Sequence, residues 1–310
     1  MLSLLRTTAL GLALAAGTPA APAQSRPSPK RVALAGPAKS GSLRFFGNGL
    51  GDIDRVKIRV DDPANSWPGP PADVGATDFT VELSLRALAN ENTAAAVSPG
   101  ANINWIFGNV LLDRDRYNQD RKFGVSICGG VVVFGVSGQG TGDYTVVGNT
   151  FVLDGLWHHV AVQRRRVDGR MELYVDGTLD ASASGALSPD GDISYPDDGV
   201  PGSFCGGPCT NSDPFLVIGA EKHDAGPQYP SFSGWVDELR ISTVLRYSGS
   251  FTPRSIPFLD DAQTAALYHF DEGGGDTVND SAAAPGGPSP GERRYGGSPA
   301  GPRWSADTPF

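Results

Sequence analysis

The stretch that most limits the fold of this chain is Asp154–Gly177, DGLWHHVAVQRRRVDGRMELYVDG. From Trp157 to Arg165 it is rich in β-formers. Val160 and Val162 fall on one face, and His159, Ala161 and Gln163 on the other. Val167-Asp168-Gly169-Arg170 reads as a tight turn, because its Asp-Gly pair suits the positive φ that such turns demand. The return run places Met171, Leu173 and Val175 on one face, Glu172, Tyr174 and Asp176 on the other, and ends at a second Asp-Gly, Asp176-Gly177. Two apolar faces that can meet in one core, bounded by turns, require an antiparallel sheet.

Composition extends this to the whole chain. Its 310 residues include 41 Gly and 25 Pro, which suit many short strands joined by turns and not a helical protein. The 27 Asp against 7 Glu point the same way, since Asp favours turns and caps and Glu favours helices. A net charge of -9 leaves no basic surface suited to phosphate backbones, so nucleic acid is excluded as an expected partner.

The first 23 residues read as a signal peptide: Arg6, an apolar core from Thr7 to Gly17, and Ala21-Pro22-Ala23 as a small-residue cleavage site. That core is too short to span a bilayer, which takes about 20 residues. Cleavage near Ala23 gives a secreted or periplasmic protein without a membrane span. Residues 24–40 read as a disordered leader and 283–310 as a Gly/Pro-rich tail, partly docked. Of three cysteines, Cys205 and Cys209 are expected to close a small local disulfide, with Cys128 a buried free thiol. A bridge from Cys128 to one of the loop cysteines is the alternative.

Further strand-like runs lie at 104–112, 122–136 and 144–153. WHHVAV, the hairpin and MELYVDG together resemble the central signature of the laminin-G-like jelly rolls of the concanavalin A-like lectin/glucanase superfamily, of secreted bacterial type. Flanking runs extend the resemblance: SLRFFGNGLGDIDRVKIRV (42–60) with DFTVELSLRAL (78–88) at the start, FLVIGAE (215–221) and GWVDELRIS (234–242) at the end. It implies an all-β fold, a two-sheet antiparallel jelly-roll sandwich over 41–282. LYHFDEGG (267–274) resembles a segment that commonly begins such a domain, so a strand near 265–272 is expected to close the same sandwich from the C-terminal side.

Function is less constrained. Jelly-roll glucanases carry E-x-D-x-x-E, which sets two carboxylates on one strand face about 5–5.5 Å apart. None of the seven glutamates has Asp two positions later, so hydrolysis is disfavoured and no catalytic residue is assigned. His158 and His159 are neighbours on a strand and face opposite ways, so both cannot serve one site, and the resemblance implies that they are structural. His223 and His269 stand isolated. Asp237, Glu238 and Arg240 suit an ion pair or turn cap.

Calcium is the metal these aspartates suit, through Asp190 and Asp192 with Asp197 and Asp198 in a long loop, or Asp271 and Asp276 with Asp280. Turn chemistry alone explains the same aspartates. For a sugar, aromatic rings are the natural platform. Trp67, Tyr195, Tyr229 and Phe232 occupy turn-like contexts, and Tyr174 shares the non-core face of the hairpin with His159. Trp105, Trp157 and Trp235 are expected in the core. The reading is therefore an exported non-catalytic module whose partner is a glycan or an extracellular protein. The alternatives are a glycoside hydrolase or lyase with carboxylates from distant strands, or a structural envelope module without small ligand.

Overall fold

The computed structural model describes residues 40–61, 70–117, 119–185, 187–196 and 214–310. The signal peptide, Trp67, Asp197, Asp198, Cys205 and Cys209 lie outside them. The first half of the chain contributes β1 Ser42–Phe46, β2 Arg55–Arg59, β3 Phe79–Leu88, β4 Asn109–Arg114, β5 Lys122–Cys128, β6 Val131–Gly138 and β7 Gly142–Phe151. The signature hairpin is β8 Asp154–Arg164 and β9 Met171–Val175, followed by β10 Thr178–Ala183. Then come β11 Phe215–Ile218, β12 Ser233–Ser242 and β13 Thr264–Tyr268. The C-terminal stretch adds β14 Thr277–Val278, β15 Gly291–Arg294, β16 Gly296–Gly297, β17 Ala300–Gly301 and β18 Arg303–Ser305.

Two eight-stranded antiparallel sheets form a jelly-roll sandwich. One runs β10-β9-β8-β3-β12-β1-β18, with β13 also on β12; the other runs β14-β15-β2-β11-β4-β5-β6-β7. The hairpin register pairs Val160 with Val175 and Val162 with Leu173, and β3 sets Leu83 against Val160 and Val81 against Val162. These side chains meet Val56, Ile58, Phe123, Val125, Phe134 and Ile218 of the second sheet in one core. Burying each such side chain fully stabilises by roughly 1.5–3 kcal/mol. Asp176 (φ 49°) and Gly177 (φ 77°) make the two-residue turn into β10, where two successive positive φ values select this residue pair. Gly177 has a second constraint: a Cβ there would lie 1.9 Å from the carbonyl oxygen of Phe251.

Two strand expectations and the placement of the tryptophans are corrected. Residues 104–107 form a 3-10 turn, and the strand starts at Asn109. The run 122–136 is two strands, divided where Gly129 (φ 58°) and Gly130 (φ 85°) reverse the chain. Of the three tryptophans expected in the main core, Trp105 is fully buried but lies on the outer face of the second sheet. It lies against Gly124 and Gly135, where an added Cβ would come within 2.0 and 1.8 Å of its ring. Trp157 and Trp235 are half-buried on the outer face of the first sheet. Their indole N–H groups donate to Asp307 (3.1 Å) and Ser305 (3.2 Å) of the C-terminal segment.

That segment is built into both sheets. β13 pairs with β12, β15 with β2, and β18 with β1. The outer face of the first sheet is further covered by residues 244–258. Tyr247 stacks on Phe251 with ring centroids 3.6 Å apart, and both rings contact Tyr174. Among the described residues no helix is long and apolar enough to cross a membrane.

Candidate functional site

Three segments meet at one rim of the second sheet: 115–117 after β4, 219–230 after β11, and the approach to Tyr195. β11 lies antiparallel beside β4, with Val217 opposite Asp113, so the exit of β4 lies beside the entry of β11, and the segment after β11 turns back until the Lys222 ammonium donates to the carbonyl of Phe215 (2.9 Å). Asp113 is fully buried and ties the end of β4 to that returning segment. Its Oδ1 accepts from the backbone N–H of Asp115 (2.7 Å) and its Oδ2 from that of Lys222 (2.9 Å).

Beyond this clasp, Asp115, Glu221 and His223 bring one ligand atom each within 4.8 Å of one another. His223 Nδ1 lies 3.5 Å from Asp115 Oδ2 and 3.3 Å from Glu221 Oε1. The other carboxylate oxygens have separate roles. Lys122 Nζ lies 3.0 Å from Asp115 Oδ1, and Glu221 Oε2 accepts from the backbone N–H groups of His223 (2.8 Å) and Asp224 (2.5 Å).

The charges are unevenly settled. Burial, with the charges of Glu221 and Asp115 nearby, pushes Asp113 up to about 8. Burial also opposes ionisation of Asp115, but hydrogen bonding from His223 and the Lys122 ammonium outweigh it and hold that carboxyl well below the usual range. Asp224 is pushed up to about 6 by burial and by Glu221. Burial and then Asp224 raise the phenol of Tyr229. The Tyr229 ring stacks on Phe107 (centroids 5.8 Å apart, 16° between planes), with Tyr229 half-buried and Phe107 exposed.

The aromatic expectations divide at this rim. Tyr229 stands on it. Tyr195 lines a neighbouring cleft of about 540 Å³ with Asp192 and Arg121, but its ring is buried between Arg116 and Lys222, and its backbone N–H is held by Asp73 at 3.0 Å. It is a core-edge residue there, not an open platform. Tyr174 is corrected likewise: the 244–258 segment buries it to 1% exposure, and its hydroxyl donates to Glu172. Phe232 is in the main core.

The calcium candidates are dispersed. Asp192 Oδ1 accepts from the backbone N–H (2.8 Å) and hydroxyl (2.7 Å) of Ser194, and Asp190 is exposed. Asp276 pairs with Arg293 at 2.7 Å, and Asp271 takes a backbone hydrogen bond from Gly41. Asp280 caps the backbone N–H groups of Leu267, Ala282 and Ser289. Cys128 is a buried free thiol, pushed up to about 11 by burial.

The cluster that does converge was missed in the sequence. Its signal was the alternation of Asp113 with Asp115 and of Glu221 with His223, which on extended chain directs each pair to one side. The β4–β11 pairing and the turn back of the chain after β11 bring them to one place.

Residues 61–196 match the family model of the concanavalin A-like lectin/glucanases superfamily, of laminin G type. That match covers the central part of the resemblance read from the sequence, and it lies within a two-sheet jelly-roll sandwich. Solved structures with a similar fold include a candidate carbohydrate-binding protein from Bacteroides ovatus (15% identity, 82% of this chain and 58% of that one, TM-score 0.45). Others are the heptameric SAP-like pentraxin of Limulus polyphemus (15%, 69% and 80%, 0.42) and domains LG4-5 of the mouse laminin α1 chain (20%, 70% and 45%, 0.39). No curated protein sequence matches the chain.

Proposed function

We propose that the protein is an exported, non-catalytic binding module that recognises glycan, or a glycan-bearing extracellular protein, at the rim of its second sheet. The observation that carries this reading is the Tyr229–Phe107 stack, a parallel aromatic pair open to solvent beside the acidic groups of the 219–230 loop. Sugars pack their apolar C–H faces on such rings, while neighbouring carboxylates accept from their hydroxyls. A hydrolytic role fits less well. Asp115 and Glu221 come from distant strands and approach each other, but Lys122 and two backbone N–H groups already engage them.

A glycan array probed with the purified protein tests the reading. Binding without product is expected, and Tyr229→Ala with Phe107→Ala should weaken a hit at least about tenfold while far-ultraviolet circular dichroism stays unchanged. Product release would instead identify an enzyme. Undiminished binding by the double variant would move the site elsewhere, with the Tyr195 cleft next to be tested.

A further inference from the structure

We propose that Asp115, Glu221 and His223 form a binding site for a divalent metal of the zinc class. The inference is independent of the glycan reading, because it concerns an ion that can be measured with no sugar present. Three different side chains offer one atom each. The separations of 3.3 and 3.5 Å from His223 Nδ1 to the two carboxylate oxygens are those of ligand atoms around one small ion. A tetrahedral ion with bonds of about 2.0 Å has edges of about 3.3 Å.

The surroundings select the ligand atoms. Glu221 Oε2 is held by two backbone N–H groups and Asp115 Oδ1 by Lys122, which directs Oε1 and Oδ2 at the imidazole. Asp113 ties together the two segments that carry the ligands, the end of β4 and the chain that turns back after β11, so the geometry exists before any ion arrives. Glu221 and His223 are 5% and 3% exposed, and Asp115 keeps 13% of its side chain open. That opening leaves the fourth position of a tetrahedron on the solvent side. Calcium fits poorly, since it takes six to eight oxygens and an imidazole is not one of its usual ligands.

Calorimetric titration of the chelator-treated protein with zinc, and separately with calcium, tests the proposal. A single zinc ion per chain is expected, with calcium much weaker. His223→Gln should weaken zinc more than about 100-fold, and the positioning residue Asp113, changed to Asn, should cost about 10–100-fold. Should His223→Gln fail to fold, cobalt absorption of the unaltered protein decides. Intense visible bands of four-coordinate cobalt without a near-ultraviolet thiolate band support the site. A thiolate band would place the ion on cysteines and overturn the proposal. So would absence of zinc binding, or zinc binding undiminished in a folded His223→Gln protein.

Discussion

The outer faces of the two sheets hold similar ingredients, a buried carboxylate with an imidazole, a cation and a phenol nearby, and settle them differently. On the first sheet Glu82 is saturated. Its Oε1 accepts from Arg240 Nε (2.8 Å) and Nη2 (2.7 Å), while its Oε2 meets His159 Nε2 (3.1 Å) and accepts from the Tyr247 hydroxyl. Burial opposes its ionisation, but the His159 hydrogen bond and the Arg240 charge outweigh it and hold the carboxyl below its ordinary value. At the rim of the second sheet Asp113 and Asp224 are both raised, by burial and by the charge of Glu221 beside them. A balanced cluster under a covering segment is architecture. A cluster of crowded acids with raised proton affinity, open on one side, is where a cation or a hydroxyl-rich ligand gains most.

The contrast can be broken most forcefully at Glu82. Glu82→Ala leaves Arg240 buried without its carboxylate, so urea unfolding should report a loss of about 3–5 kcal/mol. A loss under about 1 kcal/mol, the scale of an exposed pair, would mean that the covered face is not braced by this network. Next in size is the metal. Zinc at a hundredfold excess over its Kd should raise stability by about 2.7 kcal/mol, because the ion binds the folded chain and not the unfolded one. The same zinc should leave a His223→Gln melt where it was.

The smallest effect belongs to His158, which lies between Asp176 Oδ2 (2.8 Å) and Asp154 Oδ1 (3.1 Å). Burial lowers its affinity for a proton, yet the two carboxylates more than offset this and raise its pKa above 6.5. A histidine raised in the folded state stabilises fully below its unfolded pKa of about 6.5, and that contribution fades as pH rises through the folded value. His158→Gln should therefore melt lower than the parent at acid pH, by less than about 1 kcal/mol because both carboxylates are partly exposed, and equally at alkaline pH. A deficit that grows with pH would reverse the assignment.

Legibility followed the range of the interaction. The β8–β9 hairpin and its turns were readable, because alternation and the positive-φ demand of Asp176-Gly177 act between near neighbours. Tyr174 was correctly set on the face away from the main core, but its burial could not be read. Residues 244–258, some seventy positions later, cover that face. Tyr195 misled for the same reason, since Arg116, Lys222 and Asp73 reach it from three other segments.

The sequence by itself determined the fold class, the strand faces that make the core and the hairpin that starts it. Each of these follows from side-chain alternation and from backbone preferences of single residues. Tertiary structure alone decided which acids share a site. Asp115 meets Glu221 and His223 because β4 and β11 pair and the chain after β11 turns back beside the end of β4, and pairing depends on which strands the rest of the core leaves adjacent. It also decided which aromatics stay open, since a ring on a strand's outer face is exposed only if no distant segment returns to cover it.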